Sequence, residues 1–212
     1  MKTIITVAMK DPAHAKTRLS STFNPASRRK LALGLFDRAL SFFSRAYPEH
    51  ELAVVTASTL IAQHARLYGA LVIREHAEAG LNEAAGLAVD YAIRHGYERV
   101  AIVPGDIPIW LREEVDQLLA RARRFECVVA QAHDGGTNML ILSPPRRLDF
   151  CYGAQSASRY EALAKSLGMS CTRGLLPFIS RDIDTVEDCL LLGRRDDAAR
   201  DHIEAKTEEG HA

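Results

Sequence analysis

Three cationic side chains, Lys10, Lys16 and Arg18, lie within one short segment near the start of the chain. Pro12 breaks this segment, so a regular helix is not expected there. Lysine supplies a compact positive charge and arginine a bidentate fork, and a triphosphate would use both. The segment therefore suits a polyphosphate, and the alternative that stays open is a solvated basic loop.

Acidic side chains that could hold a divalent cation stand in two other places. Asp106 follows an apolar stretch and is flanked by Gly105 and Pro108, which predicts a fixed carboxylate at the end of a strand. Mg²⁺ typically takes only one or two protein carboxylates. Further along, alternation would point Asp182 and Asp184 to the same side of the chain. Asp184 could equally cap a following helix, and this choice stays open.

Two glycine-containing segments have the composition of anion sites. The stretch Asp134-Gly135-Gly136-Thr137-Asn138 either connects a hairpin or offers backbone NH groups and the Thr137 hydroxyl to an anion. Tyr152-Gly153 precedes a helix. We expect Ser156 to cap that helix, where free NH groups also suit a phosphate or a carboxylate.

The segment from Glu75 to Asn82 is a candidate contact to a nucleobase. It links a short apolar stretch to a helix that begins near Gly80 and Leu81. Asn82 carries the donor and acceptor pair that the edge of a base requires. A single amide does not define a base site, so this hypothesis depends on the other segments.

Composition and missing motifs exclude several classes of function. The 212 residues carry 27 Lys plus Arg and 27 Asp plus Glu, so nucleic acid is not expected as a partner. There is no Walker A loop, no dinucleotide-binding glycine pattern, no zinc-protease helix motif and no nucleophile elbow. Because we find no secretory pattern and no apolar run near the roughly 20 residues of a membrane span, we expect a cytoplasmic protein without membrane contact.

The four cysteines, Cys127, Cys151, Cys171 and Cys189, are widely spaced and include no Cys-x-x-Cys pair. This spacing indicates neither a zinc site nor a redox dithiol motif. We interpret them as buried free thiols.

Apolar stretches of strand length alternate with stretches of helical period, which is typical of β-α units and a largely parallel sheet. Strands are predicted at Ile4–Met9, Leu52–Val55, Leu71–Ile73, Val100–Val103, Cys127–Ala132 and Met139–Leu142. Helices are predicted from Asn24-Pro25 to Pro48 and over Ser58–Tyr68, Leu81–His95, Arg112–Arg123, Ser156–Leu167 and Val186–Leu192. The short turn between the last two strands favours a hairpin, so the predicted fold is one three-layer α/β domain with a mixed, mostly parallel sheet.

The predicted domain covers residues 1–194, and a charged C-terminal tail covers residues 195–212. The tail carries nine charges in eighteen positions. Its few apolar residues cannot offset the entropy of ordering, so we expect the tail to be flexible.

One ordered set of motifs runs through the chain: Ala8-Met9-Lys10 with Ala15-Lys16-Thr17-Arg18-Leu19, Gly80-Leu81-Asn82, Pro104-Gly105-Asp106-Ile107-Pro108, Gly136-Thr137-Asn138, Tyr152-Gly153 with Ser156, and Asp182-Ile183-Asp184-Thr185-Val186-Glu187-Asp188. From about residue 3 to residue 192, this set resembles the 2-phospho-L-lactate guanylyltransferase family. The resemblance implies the fold of nucleotide-diphospho-sugar transferases. It also implies a Mg²⁺-dependent nucleotidyltransferase that uses GTP in the biosynthesis of the deazaflavin coenzyme F-420.

The resemblance also implies a role for each candidate residue. Lys10, Lys16 and Arg18 would face the GTP phosphates, with Lys16 and Arg18 acting in catalysis, and Glu75, Gly80, Leu81 and Asn82 would lie near the guanine. Asp106 and Asp184 would be the Mg²⁺ ligands and catalytic, and Thr137, Gly153 and Ser156 would form the pocket of the phosphorylated acid.

The acceptor acid is less defined than the donor. The family pattern has Gly-Thr-Gly-Thr-Asn at the hairpin and Ser-Phe-x-x-His at the later helix, and this chain departs from both. 2-Phospho-L-lactate, phosphoenolpyruvate and 3-phosphoglycerate are therefore all retained as acceptors, with the next enzyme of the pathway as a protein partner. Two alternatives stay open: a nucleotide-sugar-dependent glycosyltransferase and a nucleotide-binding module without turnover.

Overall fold

Seven strands form one sheet in the computed structural model, which describes residues 1–181 of the chain. The strands are β1 (Thr3–Ala8), β2 (Glu51–Thr56), β3 (Leu71–Arg74), β4 (Arg99–Pro104), β5 (Cys127–Gln131), β6 (Thr137–Leu142) and β7 (Cys171–Leu175). Their order across the sheet is β3-β2-β1-β4-β6-β5-β7. Only β6 runs antiparallel to its neighbours among these strands, so the sheet is mixed and mostly parallel, as the sequence predicts.

Helices cover both faces of this sheet. They are α1 (Pro25–Ala46), α2 (Thr59–Leu67), α3 (Leu81–Arg94), α4 (Arg112–Arg121) and α5 (Ser156–Ser166). One apolar cluster joins one face of the sheet to α1, α2 and α4, and a second cluster joins the opposite face to α3 and α5. The result is the expected three-layer α/β domain. None of the helices in this part of the chain combines the length and apolar composition that crossing a bilayer requires.

Alternation within the central strands explains why both faces need cover. In β1, Ile4 belongs to one apolar cluster, whereas Ile5 and Val7 belong to the other. Strands buried on both faces are typical of parallel sheets whose crossover helices lie on either side.

The starts of two helices follow from their sequence. The Asn24 side chain accepts a hydrogen bond from the Ser27 amide at 2.8 Å, and Pro25 occupies the first turn of α1. Ser58 caps α2 in the same way, because its hydroxyl accepts from the Ile61 amide at 3.5 Å. Both caps satisfy backbone donors that a helix leaves without an internal partner.

The structure departs from the sequence predictions in three places. The strand β7 is not predicted, because Arg173 and Gly174 interrupt any apolar alternation. Ser156 does not cap α5: the cap position is Gln155, and Ser156 is fully buried inside the helix. Of the cysteines, Cys127 is buried as expected, but Cys151 and Cys171 are partly exposed.

Two expectations lie outside the residues that the structure describes. They are the last helix at Val186–Leu192 and the charged tail at 195–212. The hairpin expectation is confirmed, since β5 and β6 pair antiparallel across the turn that joins them.

Candidate active site

The carboxyl ends of β1 and β4 lie side by side where the strand order changes direction. β2 and β3 extend from one side of β1, and β4 lies on its other side. In open α/β sheets such a switch point leaves a crevice between diverging loops, and ligands bind there. The segments that follow β1, β3 and β4 enclose a cavity of about 450 Å³ at this place.

Most of the residues predicted for the nucleotide and the metal line this one cavity. They come from three distant parts of the sequence and meet because parallel strands end at the same edge. The residues are Lys10, Lys16, Arg18, Glu75, Gly80, Leu81 and Asp106.

A short ion pair joins two walls of the cavity. The Lys16 Nζ atom lies 2.7 Å from Oδ2 of Asp106, although the two residues are 90 positions apart. The Lys16 side chain is 4% exposed and that of Asp106 is 32% exposed. Burying an ammonium is costly without a partner of opposite charge, and Asp106 supplies one while part of its carboxylate stays open to the cavity.

The backbone of Lys16 adopts a conformation that lysine rarely takes. Its φ is 54° and its ψ is 37°, in the left-handed region. Such conformations cost about 1–3 kcal/mol and persist where the surroundings hold them in place. The conformation lies between two single turns of 3-10 helix, Pro12–His14 and Thr17–Leu19, and it directs the side chain inward to Asp106.

Asp106 is positioned by the close packing of the glycine before it. A Cβ atom on Gly105 would lie 3.2 Å from Sδ of Met9 and 3.2 Å from Cδ2 of Phe36. These distances are shorter than ordinary van der Waals contacts. Gly105 therefore allows the chain leaving β4 to pass close to the segment after β1, and Asp106 follows it into the cavity.

Two acidic residues, Asp11 and Glu78, hold the loop that carries Lys10, Lys16 and Arg18, called here the cationic loop. The Asp11 carboxylate accepts from the Ser58 hydroxyl at 2.6 Å and from the Ala13 amide at 2.9 Å, and these hydrogen bonds lower its pKa. Glu78 accepts from the Asp11 amide at 2.6 Å and contacts Nδ1 of His14 at 2.9 Å. Burial opposes the ionisation of Glu78, but its contacts with Asp11 and His14 outweigh burial and lower its pKa.

Glu75 has a different electrostatic environment in the same wall. Its side chain is buried, and burial together with the nearby charge of Glu78 raises its pKa, against the effect of a hydrogen bond from the Ala57 amide. A ligand that donates hydrogen bonds to this carboxylate would favour its ionised form.

Two of the residues predicted for the acceptor acid are in direct contact. The Oγ atoms of Thr137 and Ser156 are 2.8 Å apart, and both side chains are buried. The antiparallel register, in which Ile102 pairs with Leu140, brings the start of β6 to the edge where β4 ends. Thr137 and Ser156 therefore lie at the same edge of the sheet as Asp106, although they do not line the cavity around Lys16.

Gly153 lies in the segment that leads into α5, and Asn82, in the first turn of α3, contacts that segment. Gly153 has a φ of 119°, which an L side chain rarely adopts, and its carbonyl oxygen lies near Gly136 of the hairpin turn. The Asn82 Oδ1 atom accepts from the Tyr152 amide at 2.7 Å. Asn82 therefore joins α3 to the segment before α5, and it is not among the residues lining the cavity.

The acidic segment with Asp182 and Asp184 lies outside the described residues. Within residues 1–181, no three His, Cys, Asp or Glu side chains are grouped as a complete metal site would require. The predicted metal pair is thus represented by Asp106 alone.

Sequence reasoning missed two residues that position the loop. Asp11 precedes Pro12 and caps the first 3-10 turn, and this local pattern of an Asp before a Pro could have indicated a capping role. Glu78 contacts residues more than sixty positions away, and no local pattern indicates such a contact.

Comparison with known proteins gives a family match over most of the chain. The sequence profile of the family described as "Guanylyl transferase CofC like" matches residues 1–204. The chain is 36% identical over 193 residues to the 3-phospho-D-glycerate guanylyltransferase of Colwellia psychrerythraea, covering 91% of both chains.

Two further relatives are named for other acids. The phosphoenolpyruvate guanylyltransferase of Sphaerobacter thermophilus is 32% identical, with 89% of this chain and 91% of that protein covered. The 2-phospho-L-lactate guanylyltransferase of Methanothermobacter thermautotrophicus is 33% identical, with 89% of this chain and 82% of that protein covered.

Solved structures resemble the chain in fold. A crystal structure from Desulfovibrio desulfuricans G20, described as a nucleotide-diphospho-sugar transferase, superposes with a TM-score of 0.74 at 19% identity and covers 92% of this chain and 88% of that one. A 4-diphosphocytidyl-2C-methyl-D-erythritol synthase superposes with a TM-score of 0.64 at 11% identity, over 90% and 96% of the two chains. These similarities confirm the predicted fold class.

Proposed function

The chain belongs to the CofC-like guanylyl transferase family, and from this membership we propose that it transfers GMP from GTP to a small phosphorylated carboxylic acid and releases pyrophosphate. The observation that carries the proposal is the cavity at the switch point of the sheet, in which Lys16 and Asp106 form an ion pair at 2.7 Å. A cavity of about 450 Å³ has the size of a nucleotide-binding pocket.

The cations around the cavity support a triphosphate as donor. Lys10 and Arg18 are exposed at its rim, and Lys16 is buried in its wall. A chain of phosphates needs several positive charges along its length, and a rigid site that supplies them lowers the cost of the reaction. This arrangement favours a nucleoside triphosphate over a nucleotide-sugar, which carries fewer phosphate charges.

The proposed reaction needs no nucleophile from the protein. An oxygen of the acceptor's phosphate attacks the α-phosphorus of GTP, and the bond between the α-phosphorus and the bridging oxygen to the β-phosphate breaks. The electron pair leaves with pyrophosphate, and a new phosphoanhydride joins GMP to the acid. Because the second pKa of a phosphate monoester is about 6, the attacking oxygen is already ionised near neutral pH. The residues of the chain therefore position charge and exclude water.

We further propose that Asp106 holds Mg²⁺ together with Asp184. Asp106 fits this role because its carboxylate is partly exposed toward the cavity and belongs to the oxygen ligands that Mg²⁺ prefers. When bound, Mg²⁺ would neutralise charge on phosphate oxygens and on the leaving pyrophosphate. Lys16 would keep the Asp106 carboxylate oriented, and Lys10 and Arg18 would attract the triphosphate.

The acceptor in this proposal is a phosphorylated three-carbon acid, bound near Thr137, Gly153 and Ser156. The three relatives described above are named for three different acids at 32% to 36% identity, which supports the class of acceptor without choosing one. The Thr137 and Ser156 hydroxyls already share one hydrogen bond, and each retains lone pairs for a ligand. We place the reaction in coenzyme F-420 biosynthesis as part of the same proposal.

A pyrophosphate assay tests the function directly. The purified protein is incubated with GTP, Mg²⁺ and one of the three acids at a time, and released pyrophosphate and the mass of the product are measured. We expect release that depends on one acid and on GTP, with much less from ATP, and none from the Asp106→Asn variant.

The same assay distinguishes the alternatives. Tight GTP binding without release under any acid would contradict turnover and indicate a nucleotide-binding module. Consumption of a GDP-sugar in place of GTP would indicate a glycosyltransferase.

A further inference from the structure

Two cysteines stand directly opposite each other in the sheet. β5 and β7 pair in parallel, and Cys127 is the register partner of Cys171. Neighbouring strands lie about 4.8 Å apart, and disulfides form across Cα separations of about 4.4–6.8 Å. The backbone of these two strands therefore already holds the two residues at a distance that a disulfide can span.

The side chains of this pair also lie on the same face of the sheet, since Cys127 belongs to one apolar cluster and Cys171 packs against that same cluster. The two residues are both free thiols in the structure. Interaction between the two thiols lowers the pKa of Cys171 and, with burial, raises that of Cys127. The thiolate therefore forms first on Cys171.

Exposure separates the roles of the two thiols. Cys127 is fully buried in the core, whereas Cys171 is partly exposed on β7, which is the last strand of the sheet. A reagent in solution therefore reaches Cys171 first. Near Cys171, Arg173 forms an ion pair with Glu161 at 3.5 Å, so the local charge is largely balanced.

The third cysteine of the described chain offers a contrast. Cys151 is also partly exposed, but burial raises its pKa, and its neighbours are Arg159 and the Tyr160 hydroxyl rather than a thiol. Exposure alone thus does not distinguish Cys171. What distinguishes it is the second thiol placed against it.

We propose that Cys127 and Cys171 are a modification site, at which a low-molecular-weight disulfide such as oxidised glutathione converts the two thiols into a reversible disulfide across β5 and β7. In the first step the Cys171 thiolate attacks one sulfur of the reagent, which forms a mixed disulfide and releases one thiolate. In the second step the Cys127 sulfur gives up its proton and attacks Cys171, which releases the second reagent thiol. Two protein thiols are oxidised and one reagent disulfide is reduced.

The disulfide would fasten the last strand of the sheet to the strand beside it. In the described part of the chain β7 pairs with β5 alone, and it leads into a segment held by Glu114, which accepts from the Phe178 and Ile179 amides at 3.0 and 2.8 Å. The inference concerns thiol chemistry and does not depend on the proposed transferase activity.

Peptide mapping after oxidation tests the proposal. The folded protein is incubated with oxidised glutathione, remaining thiols are blocked with N-ethylmaleimide, and the digest is analysed by mass spectrometry. We expect a peptide pair linked between Cys127 and Cys171 that dithiothreitol separates. The Cys171→Ser variant should give no link and leave Cys127 reduced, and the matched Cys151→Ser variant should give the same link as the wild type.

Three outcomes would overturn the proposal. They are a stable glutathione adduct on Cys171, a link from Cys171 to a different cysteine, and unreacted Cys127 and Cys171 in folded protein that reacts when denatured. The wild-type map alone decides between these results, so the conclusion does not require that either variant folds.

Discussion

The contact between Lys16 and Asp106 gives Asp106 a structural role in addition to the catalytic role proposed for it. The Asp106 carboxylate lies 2.7 Å from a buried ammonium, and a third of its side chain stays open to the cavity. Its charge is therefore used twice, once to hold Lys16 and, in the proposed function, once to hold Mg²⁺.

Replacing Asp106 with Asn should separate these two uses. We expect turnover to be lost, and the free energy of unfolding to fall by about 1–3 kcal/mol, because a neutral amide replaces a charged acceptor 2.7 Å from a buried ammonium. Urea unfolding and pyrophosphate release measure the two effects.

The matched control for this change is Asp90→Asn, which removes a carboxylate from an ion pair with Arg147 on an exposed surface. Exposed pairs contribute little, so stability and turnover should both stay close to wild type. Full turnover in Asp106→Asn would remove this residue from the proposed metal site.

Glu75 provides a prediction about pH. Its pKa in the folded protein is raised, first by burial and then by Glu78, so its protonated form is the one that folding favours. The stability it contributes is present below the pKa of the unfolded chain and is lost as pH rises through the folded pKa. Glu75→Gln should therefore increase stability at neutral pH and change it little in acid.

Unfolding in urea at several pH values measures this difference between Glu75→Gln and the wild type. A stability gain that stays constant from acid to neutral pH would contradict the assignment of a raised pKa. If Glu75 also contacts GTP, the same variant should bind GTP more weakly although it is more stable.

Several residue roles could be predicted from the sequence, and others could not. Lys16 and Asp106 each follow a strand, and the rule that ligands gather at the carboxyl ends of strands is enough to place both in one cavity. Their direct contact depends on the left-handed backbone of Lys16, which no local pattern indicates. Ser156 is predicted as a cap because serine often has that role, but its hydroxyl is hydrogen-bonded to Thr137 at the start of β6.

At the scale of elements, the cationic loop is held by side chains of its neighbours rather than by regular structure of its own. Glu78, in the segment before α3, accepts from the Asp11 amide, and Ser58 at the start of α2 donates to the Asp11 carboxylate. The position of Lys10, Lys16 and Arg18 therefore depends on residues that follow β2 and β3.

Glu78→Gln should loosen this loop while leaving its charges in place. We expect the KM for GTP to rise severalfold with a smaller change in kcat, because the loop must be ordered when GTP binds. Replacing the charged acceptor of the Asp11 amide with a neutral one should also cost about 1 kcal/mol of stability. Steady-state kinetics and urea unfolding measure both quantities.

Glu83→Gln is the control for that variant, since Glu83 is an exposed carboxylate in the first turn of α3. It should leave the KM for GTP near the wild-type value. Equal effects from both variants would mean that general negative charge matters and that the contact with Asp11 does not.

Gly105 tests how closely the segments after β1 and β4 must approach. Gly105→Ala adds a Cβ atom 3.2 Å from both Met9 and Phe36, and overpacking of this kind costs about 1–3 kcal/mol. We also expect turnover to fall, because Asp106 moves with its neighbour.

The control is Gly34→Ala in the exposed face of α1, where an added Cβ meets nothing within 4 Å. That change should stabilise the protein by about 0.5–1 kcal/mol, since alanine is the better helix former. Thermal unfolding of the two variants should therefore shift in opposite directions, and a shift of Gly105→Ala to higher temperature would contradict close packing at this site.

At the scale of the whole molecule, the elements could be predicted wherever burial imposes a pattern. The central strands are apolar on both faces and are correctly predicted, as is the hairpin of β5 and β6. β7 lies at the edge, where Arg173 and Gly174 are tolerated because one side of the strand has no neighbour in the described sheet. β3, at the other edge, keeps the apolar run Leu71–Ile73 and is predicted, whereas the Arg173-Gly174 pair in β7 breaks the apolar pattern, and this is why β7 could not be predicted.

The cavity lies between segments that follow different strands, so a ligand that fills it should stabilise the fold as a whole. At a concentration of about one hundred times its Kd, GTP with Mg²⁺ should add about 2.7 kcal/mol to the free energy of unfolding. We expect a higher thermal midpoint with GTP and Mg²⁺ than with ATP and Mg²⁺ at the same concentration. Equal midpoints would contradict a preference for guanine, and no shift with either would contradict a nucleotide site.

The reversed direction of β6 has a consequence for how such proteins could diverge. The segments that leave β1 and β4 carry Lys16 and Asp106 at this edge of the sheet. Because β6 runs antiparallel to β4, the segment that enters β6 brings Thr137 to the same edge. Lengthening or shortening the connection ahead of β6 would reshape the Thr137 side alone. Under the proposed function, small insertions there would change the acceptor acid and leave the residues proposed for the triphosphate as they are.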